Sequence, residues 1–291
     1  MIAKKLRIRS VISSLILVLL ADTMSRAQCT VWGCGSRGTI THWGEGFTGG
    51  PDLSEPLVTD RPDFTEASST VGLGVSQFEF GYTYTFDNDG TDQVIRHSYP
   101  EVLLRQGFLA NWLELRVAAN FSHERTNGAG LSGADDLYLG FKVGLTPQQG
   151  WLPEMGLIPQ TTVPSGNDDF TADRLLAGAN WLYSWDLSEN FVAGGSTQFN
   201  RALDSLDNEF TEWAQSFTVG VSLTDVLSAY AEWFALFPPS DAAGGEDQHY
   251  FNGGFAVLFS NDVQWDIRAG VGLNDFSDDY FVGSGLSIRF R

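Results

Sequence analysis

The chain has 291 residues, a formal net charge of −19 and 13% aromatic residues. So acidic a balance argues against a nucleic-acid partner, because phosphates call for basic surface. Its two cysteines, Cys29 and Cys34, are joined by no His or Cys set that would complete a tetrahedral metal site, and no cofactor is expected.

Residues 1–27 read as a secretory signal. Lys4, Lys5, Arg7 and Arg9 precede an apolar run from Val11 to Ala21, and Ser25-Arg26-Ala27 supplies small residues where a signal peptidase reads. The run is too short to span a bilayer. Arg26, three positions before Cys29, is not the apolar residue a lipoprotein signal carries, so no lipid anchor is expected. After residue 27 the chain keeps 12 basic and 35 acidic residues, with Lys142 as its single lysine. Cys29 and Cys34 suggest one small disulfide loop in an oxidising compartment. Residues 28–72 read as a flexible periplasmic leader. Its first part, to residue 57, is rich in Gly, Ser and Thr with Pro51 and Pro56, and 58–72 is a denser polar segment.

From Gln77 onward the signal has period two. Phe78, Phe80, Tyr82, Tyr84 and Phe86 share one face, while Gln77, Glu79, Thr83 and Thr85 share the other. The same alternation runs through Leu113–Ser122, Asp136–Leu145 and Val263–Asn274, and marks strands with one apolar face. About twelve strands are predicted: 75–86, 95–108, 112–123, 135–145, 152–163, 174–185, 191–200, 213–223, 227–237, 249–259, 263–273 and 280–290. The fifth is the weakest, because Pro153, Pro159 and Pro164 crowd it and proline removes a ladder donor. Ten and fourteen strands are the alternatives, an even number being the rule for single-chain bacterial barrels.

The connections alternate in length. Leu109–Asn111, Thr146–Trp151, Asp186–Asn190, Thr224–Val226 and Ser260–Asp262 are short. Asp87–Gln93, Glu124–Ala134, Pro164–Asp173, Arg201–Glu212 and Pro238–Gln248 are long. A barrel crossing a bacterial outer membrane gathers tight turns at its periplasmic rim and longer loops outside. The long connections also hold much of the acid, as in Asp204–Glu212 and Asp241–Asp247. The polar strand faces carry Gly, Ser, Thr and Asn with few charges, unlike a soluble surface. Trp112, Trp181, Trp185, Trp213 and Trp265 fall near strand ends, where a membrane barrel keeps aromatic girdles. The predicted class is therefore all-β: a transmembrane antiparallel up-and-down β-barrel over 73–291, in lipid, at the outer membrane.

On this parity the lumen is lined by Glu79, Glu101, Glu114, Asp136, Glu232 and Asp266, and by Arg105, Arg116, Lys142, Arg174, Arg268 and Arg289. Matched numbers suggest cross-strand ion pairs, since isolated charges there are costly. Arg105 and Glu114, flanking one short turn, are the expected neighbours. The histidines give no catalytic set. His249, Asn252 and a serine can be drawn together on paper, but no spacing singles them out.

Val58-Thr-Asp-Arg-Pro-Asp-Phe-Thr-Glu66, His97-Ser-Tyr-Pro-Glu101, Gly133-Ala-Asp-Asp-Leu137, Val163-Pro-Ser-Gly166, Leu273-Asn-Asp275 and Gly283–Phe290 together resemble a family of bacterial outer-membrane barrels named for the MetA pathway of phenol degradation and described as transporters. The resemblance covers roughly 57–291 and implies passage of phenol-like or other hydrophobic compounds. Barrels of this kind usually end on an aromatic residue read by the barrel assembly machinery, the expected partner in biogenesis; here Arg291 follows Phe290. Two functions are therefore carried forward. One is a channel passing small, aromatic or hydrophobic solutes through a narrow charged lumen. The other is a closed structural or binding barrel whose acidic loops engage partners or divalent ions.

Overall fold

The computed structural model describes residues 51–243 and 245–291. The expected signal peptide, residues 28–50 of the leader, and the Cys29–Cys34 pair lie outside the described residues. From Ser76 on, the chain is an antiparallel meander of fourteen strand segments, β1 (Ser76–Asn88) to β14 (Tyr280–Phe290). The sheet closes because β1 pairs with β14 on one side and with β2 (Gln93–Gly107) on the other. Closure leaves no stretch of barrel backbone to be satisfied by lipid, which cannot do so.

The fourteen segments make twelve staves. β3 (Leu113–Ala119) and β4 (Phe121–Thr126) both pair with β2 and are one stave interrupted at Asn120. β5 (Ala129–Ala134) and β6 (Leu137–Thr146) are the next, interrupted at Asp135-Asp136. The expected long loop Glu124–Ala134 is instead the tip of this hairpin. Asn127 (φ 52°) and Gly128 (φ 86°) form its two-residue turn, and an Asn-Gly pair adopts positive φ at little cost. In the same way β9 (Phe191–Leu203) and β10 (Glu209–Ser222) run into the segment expected to be the Arg201–Glu212 loop. Strands therefore rise well past the apolar band at this end.

β7 (Glu154–Val163) tolerates Pro159. The proline pairs with Ala179 of β8 (Leu176–Asp186), but the β6–β7 ladder has no partners between Gly140↔Gln160 and Val143↔Leu157, so the missing N–H falls in a gap. The remaining staves are β11 (Leu227–Phe237), β12 (Gln248–Ser260) and β13 (Val263–Gly272). Exposure follows the alternation in the sense of a membrane protein. Phe217, Phe251, Phe255, Ile267 and Val282 are exposed, while Glu79, Arg105, Glu114, Lys142 and Asp266 are all 0% exposed. An apolar outside around a charged inside is stable only in hydrocarbon.

Candidate functional site

The lumen is not empty. Residues 57–75 form a hairpin that enters from the periplasmic rim, climbs to mid-barrel and returns to β1. This corrects the expected leader, which was to extend through residue 72 on the periplasmic side. At the rim the Leu57 amide donates to Asn261 O (2.8 Å), and Arg289 Nη2 donates to Glu55 O (2.8 Å). The climbing arm then meets β1, where Gln77 Nε2 donates to Val58 O (2.9 Å) and the amides of Asp60 and Arg61 donate to Glu79 (3.1 Å each). At the apex the amides of Phe64 and Thr65 and the Asn252 side chain each donate to Glu232 at 2.7 Å. The Thr65 hydroxyl adds a bond to the same carboxylate at 2.6 Å. The descending arm passes Ser68, which donates to Glu154 (2.9 Å), and Val71, whose amide donates to Glu114 (2.9 Å).

The hairpin is held by charge. Asp60 is buried among three cations: Lys142 Nζ at 2.9 Å, Arg105 Nε at 3.3 Å, and Arg116 in direct contact. Arg105 also pairs with Glu114 (2.9 Å) and Glu79 (3.3 Å), and Arg116 with Glu66 (2.5 Å). Asp60 Oδ1 further accepts the Ala67 amide (2.8 Å), which ties the two arms together. Nearer the apex Arg61 bonds Glu101 (2.7 Å) and lies 3.5 Å from Asp266, while Arg268 donates to Pro62 O (2.9 Å). The barrel brings Arg105, Arg116 and Lys142 together with only Glu79 and Glu114; Asp60 and Glu66 complete the compensating charge. Burying such a set without those two carboxylates would be strongly unfavourable.

Of the expected lining, Glu79, Glu101, Arg105, Glu114, Arg116, Lys142, Glu232, Asp266, Arg268 and Arg289 meet the hairpin, its approach or one another. Arg174 does not line the lumen. β8 begins only at Leu176, and Arg174 is exposed in the preceding connection, a correction caused by the chain's turning later than its pattern suggested. Asp136 sits in the break between β5 and β6 instead of on a strand. Its carboxylate accepts the amides of Ser165, Gly166 (3.0 Å each) and Ala172 (2.8 Å), so it fastens the β7–β8 connection. His249 and Asn252 point to opposite sides of β12: Asn252 is buried against Glu232, while His249 packs on outward-facing Trp233 and Phe237. Among the described residues no group of three or more His, Cys, Asp or Glu side chains is placed to hold a metal ion.

Above the charges lies an aromatic set that the parity argument missed. Phe234, Tyr250 and Phe281 are buried inside the extracellular half of the barrel. Phe64, at the hairpin apex, stacks on Phe234 (centroids 4.4 Å), which stacks on Tyr250 (4.7 Å). Phe281 is 6.3 Å from Tyr250, and the Arg268 guanidinium lies 5.4 Å from the Phe281 ring centre. The β13–β14 connection closes over them: the Asp278 amide donates to the Tyr250 hydroxyl (3.1 Å), and the Asp278 carboxylate takes Arg96 (2.9 Å). A signal was present in the sequence. Trp233-Phe234, Tyr250-Phe251 and Tyr280-Phe281 are adjacent aromatics, and neighbours on a strand face opposite sides, so one ring of each pair must point inward.

A sealed cylinder, an apolar outer band and a polar, plugged interior define a transmembrane β-barrel of the outer-membrane class. A known structure of that class shares the fold. An outer membrane channel of Pseudomonas putida F1 superposes with a TM-score of 0.63 at 13% identity, covering 79% of this chain and 99% of that one. The NanC porin gives a TM-score of 0.46 at 10% identity, covering 74% and 99%. No curated protein matches the chain. The family described as MetA-pathway of phenol degradation matches residues 59–290, and the chain belongs to it. The matched region begins inside the luminal hairpin, so hairpin and barrel are one family unit.

Proposed function

We propose that this barrel is an outer-membrane channel for small solutes bearing an aromatic ring, with the 57–75 hairpin as its stopper. The observation that carries this reading is the luminal group Phe64, Phe234, Tyr250 and Phe281, set directly above opposed charges. Rings facing a lumen have no lipid to cover, and a solute ring can take the place of one of them by offset stacking, worth about 0.5–1.5 kcal/mol beyond area burial. Arg61, Arg268, Glu101 and Asp266 lie below to orient a polar substituent. A separate cavity of about 150 Å³ lies beside Val58, Thr70, Gln77 and Arg289 at the periplasmic end. Passage requires the hairpin to shift, because Asp60 and Glu66 lie across the barrel's own cations.

The test is uptake into proteoliposomes of benzoate against gluconate, two anions of equal charge, one with a ring and one without. Faster benzoate uptake that falls in a Phe234→Ala variant supports the reading. Equal uptake of both would overturn the preference for a ring, and no uptake by either the intact chain or one lacking residues 51–72 would make this a closed barrel. The fully buried charge cluster is what favours that second reading.

A further inference from the structure

The outer wall carries almost no strand-borne charge, and the exception is informative. Among the described strand residues two arginines face outward, Arg201 and Arg125. Arg201 is neutralised by Glu209 and donates to the Thr211 hydroxyl (2.8 Å). Arg125, on β4, is exposed and has no carboxylate within salt-bridge distance among the described residues. In a chain whose acid exceeds its base by 19 charges, an unpaired cation on the wall needs a reason.

Its neighbours supply one. Arg125 pairs across the ladder with Ile95 and Gly130; one rung toward the membrane, His97 pairs with His123, and His123 with Ser132. Tyr84 is opposite His97 on β1. The Tyr82 hydroxyl lies 2.9 Å from His97 Nδ1, and the Ser132 hydroxyl 2.6 Å from His123 Nδ1. Each imidazole is thus held through Nδ1 by a neighbouring hydroxyl, which fixes the ring and leaves Nε2 as its second polar atom. Below the histidines on the same face, Tyr82, Tyr99 and Phe121 are exposed. The order from the apolar band upward is therefore aromatic girdle, imidazoles, guanidinium. Gly130 keeps the partner strand low beside both groups: its missing side chain would lie 3.4 Å from the His123 ring and 3.5 Å from Arg125. The acids of the adjacent turn are otherwise engaged. Asp89 holds the amides of Thr91 and Asp92 (2.8 Å each), and Asp92 takes the Asn127 side chain (2.8 Å).

We infer that His97, His123 and Arg125 form a docking site for the phosphorylated headgroup of an outer-leaflet glycolipid. The site lies at headgroup height, just beyond an aromatic belt, and combines two oriented imidazoles with one fork-shaped cation suited to phosphate oxygens. Phosphate is also the commonest anion at that depth, and the wall's other charges do not compete for it. The site is independent of whether the lumen conducts.

The test is co-purification and lipid-retention measurement on the full folded barrel in detergent. It uses bisphosphorylated lipid A, the same lipid after dephosphorylation, and inorganic phosphate as separate probes. Retention of the bisphosphorylated lipid at least about fivefold above the dephosphorylated one is expected from one charge-assisted bond. Arg125→Gln should remove that excess, Arg125→Lys should keep part of it, and the pair His97→Gln with His123→Gln should reduce it. Heat-modified gel mobility checks that each variant is folded. Equal retention of both lipids, indifference to Arg125→Gln in a folded variant, or displacement by millimolar inorganic phosphate alone would overturn the proposal.

Discussion

Lys142 of β6 and Asp60 of the luminal hairpin meet at 2.9 Å, and both are buried. The one lysine after residue 27 is thus reserved for a contact between two parts of the chain 82 positions apart. Removing one partner of such a pair leaves the other charge stranded, at about 3–5 kcal/mol. Asp60→Ala removes the one carboxylate paired with Lys142 and a shared partner of Arg105 and Arg116. It should lower the temperature of heat-modified gel migration markedly and raise conductance in planar bilayers. Unchanged thermal behaviour would mean that the hairpin is not held by this cluster.

A steric contact fixes the base of the hairpin. The Gly74 amide donates to Gly107 O (3.0 Å) and the Gly107 amide to Val75 O (2.9 Å). A side chain at Gly107 would meet Gly72 O at 1.6 Å, backbone against backbone, and Gly72 has φ +87°. Gly107→Ala should therefore displace residues 72–75 while leaving the barrel closed. Limited proteolysis should then cut the 51–75 segment at least several-fold faster with far-ultraviolet circular dichroism unchanged.

Phe234 is the central ring of the luminal aromatics, packed by Phe64, Tyr250 and Phe281. Truncation to alanine should cost about 3–5 kcal/mol of stability by leaving a cavity. Phe234→Leu should cost less and still lose the ring stacking. A fall in uptake of ring-bearing anions in the Leu variant, with gluconate unaffected, is the outcome expected in the proteoliposome assay.

At the periplasmic rim Asp262 clasps Arg289 (2.8 Å) and Arg291 (2.7 Å). These two arginines hold its carboxyl below the ordinary value of 3.8. A depressed folded-state pKa means that the clasp is fully present above that ordinary value and is lost as pH falls through the lower one. Between pH 5 and pH 2.5 the wild-type C-terminal strand should become progressively more open to hydrogen exchange. Asp262→Asn should show the open behaviour already at pH 5 and no further change attributable to this site. Identical profiles would exclude the clasp.

Asp136 closes the β7–β8 connection by accepting three backbone amides. Its neutral amide analogue keeps one acceptor and loses the charge, and each charge-assisted bond is worth about 1.5–3 kcal/mol. Asp136→Asn should make residues 164–172 more protease-sensitive from outside the cell without altering barrel assembly.

Much of the architecture follows from local sequence, because each cause is local. Period-two alternation such as Phe78 to Phe86 sets strand and face together, and alternating connection lengths assign the two rims. At Asn127-Gly128 the polar composition suits a loop equally well, and only the positive φ of both residues makes it a tight hairpin tip. Arg174 leaves the wall because its strand begins two residues later than the alternation implies. What the tertiary structure decided is the occupation of the lumen. Val58–Glu66 carries no periodicity, so nothing along the chain says that Asp60 belongs beside Arg105, Arg116 and Lys142. Pairing of the consecutive staves sets those three cations side by side with Glu79 and Glu114, and only the entry of the hairpin into the closed cylinder brings Asp60 to them.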